Sequence, residues 1–111
     1  MDDIKELILF LKLLADETRL RIIHLLISKE ITVGDLCAVL EMSQSSISKH
    51  LVKLRLMGVV NDVRDGSFVY YSLNDQNEKY IQLIRFVAKN YGHLDIFQQD
   101  LSNLNEVTKI D

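Results

Sequence analysis

The hydrophobic pattern of this chain changes period at Gly58, and few folds accommodate that change. Before Gly58 apolar residues recur every three or four positions. Leu20, Ile23 and Ile27, with Ile22 and Leu26 beside them, form one stripe, and Ile47, Leu51 and Leu54 form another in "SQSSISKHLVKLRLMG". That spacing belongs to helices with one core-facing side. After Gly58, "VVNDVR" and "SFVYYSL" are β-branched and aromatic runs flanking Asp65-Gly66, a strong hairpin signal that favours a type I′ turn. The helical period then returns twice, in Tyr80, Ile84, Val87 and Tyr91 and in Leu94, Phe97, Leu101 and Leu104. Helices, a hairpin, then helices again predict a mainly α protein with a small β-hairpin (α+β): a winged helix-turn-helix with helical arms at both ends.

Polar residues at the segment starts set the expected boundaries. Asp2 or Asp3 caps a first helix reaching about Ala15, and Asp16 caps a second with Glu17 in its first turn, where a carboxylate suits the helix dipole. Thr32, with Asp35 three positions on, opens a short third helix in a variant of the capping box. Glu41 and Met42 are a tight link, and Ser43 caps the fourth helix. The helix-turn-helix is thus expected over 32–57 and the wing over 59–73. Asn74 and Asp75 are expected to cap a long helix over 75–91, and an extra amphipathic helix follows over 94–107.

At 111 residues the chain reads as one domain over 1–111, able to bury roughly 65% of its unfolded surface without disulfide or metal staples. Cys37 is the only cysteine, so an intrachain disulfide is impossible and a reducing, cytoplasmic location is expected. The run "LILFLKLLA" is short, broken by Lys12 and preceded by two aspartates. It reads as a buried helix, not a signal peptide or a membrane span. Net charge is −3, so any nucleic-acid contact has to come from a local basic surface on a mildly acidic body.

Such a surface lies on the fourth helix. Ile47, Leu51 and Leu54 share one stripe, and the front turns carry Ser43, Gln44, Ser45, Ser46, Ser48, Lys49, His50 and Lys53 on other faces. Between residues 43 and 58 the cations Lys49, Lys53 and Arg55 stand without an acid. The second helix of such a motif sets its N-terminal residues against base edges in the major groove, where glutamine pairs bidentately with adenine and serine bonds almost any edge or phosphate. Serine is a poor filler of exposed helix positions, because its hydroxyl competes for backbone bonds. These residues are therefore read as DNA-binding rather than merely solubilising. Arg64, beside the wing tip, reaches a flanking phosphate or the minor groove, or serves only as a solvated turn charge. Arg55 equally suits a local ion pair, Tyr71 packing, and His50 a phosphate or base contact rather than metal ligation.

The segments "LADETRLRIIHLL", "TVGDLC", "SQSSISKHLVKLRLMGVV" and "RDGSFVYYSL", taken together over residues 11–91, resemble the ArsR/SmtB family of winged-helix repressors. The resemblance implies a homodimer on a near-palindromic double-stranded operator, released when an inducer binds. It also implies a dimer interface built from the first and long helices, over 1–15 and 75–91, here through Leu7, Leu11, Leu14, Tyr80, Ile84, Val87 and Tyr91. Departures fall at the family's sensor positions. Where arsenic-responsive relatives carry cysteines stand Thr32 and Gly34, with only Cys37 kept. The zinc positions fall at Asp75, Asn77, Ala88 and Tyr91, of which only Asp75 is a ligand type. Sulfur-responsive relatives use a cysteine pair with one member near His24.

No metal site and no cofactor are therefore expected, and the inducer stays open. His24 reads as a satisfied, half-buried histidine, His93 as a helix-end decoration and Cys37 as a small buried hydrophobe. An enzyme is not expected, since no phosphate loop or nucleophile–base pair is present. The competing reading is a winged-helix protein-interaction module without DNA binding, docking through Leu94, Phe97, Leu101 and Leu104. Against it, that stripe is expected to be buried on the first helix of the same dimer.

Overall fold

The computed structural model describes residues 3–109, so Asp2 as a cap lies outside the described residues. Their elements run α1 (Asp3–Leu14), α2 (Glu17–Ser28), β1 (Ile31–Thr32), α3 (Val33–Leu40), α4 (Gln44–Leu56), β2 (Val60–Asp65), β3 (Phe68–Leu73), α5 (Glu78–Tyr91) and α6 (Asp95–Val107). Three starts are fixed by the residues expected to fix them. Asp16 accepts from the Arg19 amide at 2.9 Å, Thr32 from that of Asp35 at 3.1 Å and Ser43 from that of Ser46 at 3.2 Å. Each such cap stabilises its helix by about 1 kcal/mol.

The core is built around α4. Ile47, Leu51 and Leu54 are completely buried, as are Ile22, Leu25 and Leu36 from α2 and α3. Gly58 ends α4 at φ +81°, a left-handed conformation that lets the Val59 amide reach back to the Leu54 carbonyl at 2.9 Å. The sheet has the order β1-β3-β2, with Ile31 opposite Tyr71 and Val60 opposite Leu73. Tyr71 is buried, as expected.

The structure departs from the sequence reading in several places. β1 is a two-residue strand on the edge of β3, too short to leave a periodic signal. The hairpin loop is Gly66-Ser67, closed by the Asp65–Phe68 pair, and only Gly66 has positive φ (+63°). That pattern fits a type II′ turn rather than I′. The long helix starts at Glu78, not 75, because Asn74 is engaged elsewhere. Its side chain donates to the Gly58 carbonyl at 3.0 Å and accepts from the Gln76 amide at 3.1 Å. Asn77 also donates to Gly58, at 3.4 Å, so the two asparagines lash the end of α4 to the approach of α5.

The last helix, α6, packs on α2 and α3. Phe97 and Leu104 are buried there, and Asp100, 2% exposed, receives two bonds from Arg21 at 2.8 and 2.9 Å. α1 meets the start of α5, through Phe10 stacked on Tyr80 with centroids 3.9 Å apart and through Lys79 donating to Glu6 at 2.8 Å. No helix among the described residues is long and apolar enough to cross a membrane.

Candidate nucleic-acid interface

The turn between α3 and α4 sets the aim of the fourth helix. Glu41 takes the left-handed conformation (φ 53°) and ends α3, and the Met42 amide bonds back to Cys37 at 3.2 Å. Met42 is held from α2 as well, by the Thr18 hydroxyl 3.9 Å from its sulfur. With its apolar stripe at zero exposure, α4 cannot rotate without emptying the core. Its other face is therefore presented rigidly.

On that face Ser43, Gln44, Ser45, Lys49 and Lys53 are exposed, and Ser46 and Ser48 are half-buried. The front turns carry no acid, and the α4 amides add their own partial positive charge. Arg64 is exposed on β2, remote from these residues in sequence. Arg55 lies 4.0 Å from Asp62, the local ion pair considered for it. Gln44, Ser67 and Phe68 line one cleft, which brings the start of α4 and the wing tip to a common side.

His50 is placed differently from its neighbours. It is half-buried, and its Nδ1 accepts from Arg19 Nη1 at 3.1 Å. Arginine can only donate, so that bond requires a neutral imidazole. Burial pushes the His50 pKa below its usual value; Asp16 opposes that shift while Arg19 and Lys53 reinforce it. The backbone bond from Arg19 holds the Asp16 carboxyl below the usual carboxylate range, with burial opposing. Arg19 also donates through Nε to the Leu13 carbonyl. It thus joins the end of α1, the start of α2 and the middle of α4. Sequence reasoning missed this positioning residue, whose partner is 31 positions away.

The seven expected interface residues divide into two groups. Leu14, Tyr80 and Ile84 are buried within the chain itself. Leu7, Leu11 and Tyr91 are 47%, 46% and 53% exposed, and Val87 is half-buried. Ile8 on α1 and Phe86 on α5, at 44% and 60% exposure, extend the apolar surface beyond the residues expected.

Among the described residues no group of three or more His, Cys, Asp and Glu is placed to hold a metal ion. Burial pushes the Cys37 thiol pKa up, which disfavours the reactive thiolate. His24 departs from expectation. It stacks on Phe97 with centroids 4.5 Å apart, but its buried Nδ1 has no hydrogen-bond partner among the described residues.

Residues 16–62, which hold α2, the helix-turn-helix and the start of the wing, match the family model described as bacterial regulatory protein, arsR family. The transcriptional activator HlyU of Vibrio cholerae is 40% identical over 72 residues, 65% of this chain and 67% of that protein. The arsenical resistance operon repressor of Escherichia coli is 48% identical over 64 residues, covering 57% of this chain and 55% of the repressor. The match thus spans little more than half the length of the latter. The solved structure of reduced HlyU from Vibrio cholerae superposes with a TM-score of 0.73 at 34% identity, covering 80% of this chain and 92% of that one.

Proposed function

We propose that this chain, which belongs to the ArsR family of bacterial regulatory proteins, is a homodimeric repressor that reads a near-palindromic operator through α4. The chain is a DNA-binding transcription regulator by family, not an enzyme. The finer reading rests on one observation. The front of α4 is a rigid, exposed, acid-free surface of Gln44, serines and lysines, while the back of the same helix has zero exposure. In this reading Gln44 and Ser45 contact base edges, Lys49 and Lys53 contact phosphates, and Arg64 extends the contact through the wing. His50 acts from behind, by holding α4 to Arg19, rather than on DNA.

The exposed residues of α1 and α5 support dimerisation. Leu7, Ile8 and Leu11 recur at one, three and four positions on one side of α1, and Phe86 and Tyr91 extend that apolar surface on α5. Two-fold symmetry then sets the two α4 helices about 34 Å apart, one turn of DNA. A dimer lying across a promoter represses by occupying it and needs no further contact. Two similar proteins bear opposite names, one an activator and one a repressor; repression is the reading that needs only DNA. Relief by the family's thiolate or zinc chemistry is not part of this reading, since only Cys37 and Asp75 stand at those positions.

The test is binding of the purified protein to the DNA upstream of its own coding sequence and to scrambled DNA of equal length, over a range of salt. Sequence-preferring binding with a steep salt dependence is expected. Absence of salt-dependent binding to either duplex, with the dimer intact, overturns the reading in favour of a protein-docking module.

A further inference from the structure

The junction of α2, α5 and α6 holds a small cavity of about 20 Å³ that opens to solvent. Leu14, Ile23, Ile84 and Val87 line it with carbon, and His24 and Phe97 add two stacked rings. Its enclosed part has room for about one water. A buried water, however, needs two to four polar partners, and this wall is apolar apart from the histidine. Into this setting the fold places the one buried side-chain nitrogen or oxygen that lacks a partner among the described residues, His24 Nδ1. Leaving such a group unbonded is costly, and proteins of this size rarely do so without a reason. Gly92 crosses beside the same ring. A Cβ there would stand 3.1 Å from His24 Nε2 and 2.4 Å from the Ala88 carbonyl oxygen, so the backbone comes as close to the histidine as a glycine permits.

We infer that this cavity is an effector site for a small, flat, mostly apolar molecule carrying one O–H or N–H donor. The ring of the ligand enters from the mouth and spreads the apolar wall. A small turn of the imidazole then lets the donor reach Nδ1 as acceptor. Burial lowers the His24 pKa, with Asp100 opposing, which favours the neutral ring with one nitrogen able to accept. The walls give occupancy a consequence, and that consequence rests on the function proposed above. α2 backs the helix-turn-helix, while α1 and α5 carry the apolar surface proposed for the dimer. A molecule wedged between α2 and α5 alters the spacing of the two α4 helices, so it lowers affinity for DNA.

Phenol is the probe and toluene, which has the same shape without the donor, its control. Each is titrated into the full chain by ¹H–¹⁵N and methyl NMR, with a parallel DNA titration at fixed phenol. Expected are saturable shifts at Ile23, Ile84, Val87 and Phe97, with phenol favoured over toluene by roughly tenfold, the worth of one buried hydrogen bond. That preference disappears in His24→Phe. Ala88→Leu, which fills the cavity and leaves the imidazole in the sequence, weakens both ligands and stands in should His24→Phe fail to fold. DNA affinity falls at least fivefold when phenol saturates the wild-type protein. Equal binding of phenol and toluene, or shifts indifferent to both substitutions, overturns the site. Saturable phenol binding with unchanged DNA affinity overturns its effector role. Wild-type protein that binds phenol but never binds DNA refutes the proposed function and leaves the site standing on the NMR result.

Discussion

Helices α1 and α4 are of nearly equal length, 12 and 13 residues, and they dispose of their apolar residues in opposite ways. In α4 the stripe of Ile47, Leu51 and Leu54 has no exposure, and polar residues fill its front. In α1, Phe10, Leu13 and Leu14 are buried, but Leu7, Ile8, Leu9 and Leu11 are 44–58% exposed. A helix that is apolar nearly all round belongs in a larger core than one protomer offers. A helix that is polar on a rigid face, with serine where better helix formers were available, is shaped by what it touches. In the proposed function the two surfaces take different partners: another copy of the chain on one side and a polyanion on the other.

The largest effect expected from breaking this contrast lies inside α4. Leu51→Ala should destabilise the fold by about 2–5 kcal/mol, read as a shift of the urea midpoint, and should abolish DNA binding only as far as it unfolds the chain. Next is the exposed side of α1. Leu7→Asp combined with Leu11→Asp should leave the helical circular dichroism of the protomer intact and dissociate the dimer. A variant that stays dimeric removes α1 from the interface.

The front of α4 carries smaller, separable effects. Gln44→Ala should cost about 1–3 kcal/mol on the preferred duplex and relax preference at a single base pair; equal weakening on all sequences speaks against base readout. Lys53→Ala should weaken preferred and scrambled DNA alike and reduce the salt slope by about 1.

The smallest effect is one of pH. Both His24 and His50 have pKa values depressed below the ordinary 6.5, burial being the largest cause for each. Between the folded and unfolded values the unfolded chain binds more protons, so stability rises with pH. This contribution is fully present above about pH 6.5, the unfolded value, and is lost as the pH falls towards the folded ones. Urea midpoints measured from pH 7.5 down to 5 should decline, and His50→Gln should flatten part of that decline. An undiminished slope in the variant excludes His50 as a source.

What the sequence made legible follows the range of each interaction. Asp16, Thr32 and Ser43 bond amides three residues ahead, so their roles are written locally. The stripe of α4 is likewise a matter of spacing. The displaced start of α5 is not, because it depends on Asn74 reaching Gly58 sixteen residues back. Nor is the Arg19–His50 bond, whose partners stand 31 positions apart. Leu14, Tyr80 and Ile84 share the period of the exposed residues, and only packing reveals that the protomer itself buries them. The seat of α6 on α2 is not legible either, since the buried Asp100–Arg21 pair joins residues 79 positions apart.

The most direct test of the two-surface account is the mass of the protein–DNA complex in sedimentation velocity, using one duplex of the chain's own upstream DNA. The account predicts two protomers on the duplex for the wild-type chain. For Leu7→Asp combined with Leu11→Asp it predicts a folded monomer whose binding to that duplex is weakened at least tenfold. A wild-type complex holding one protomer, or a variant that binds as tightly as the wild type while monomeric, contradicts it.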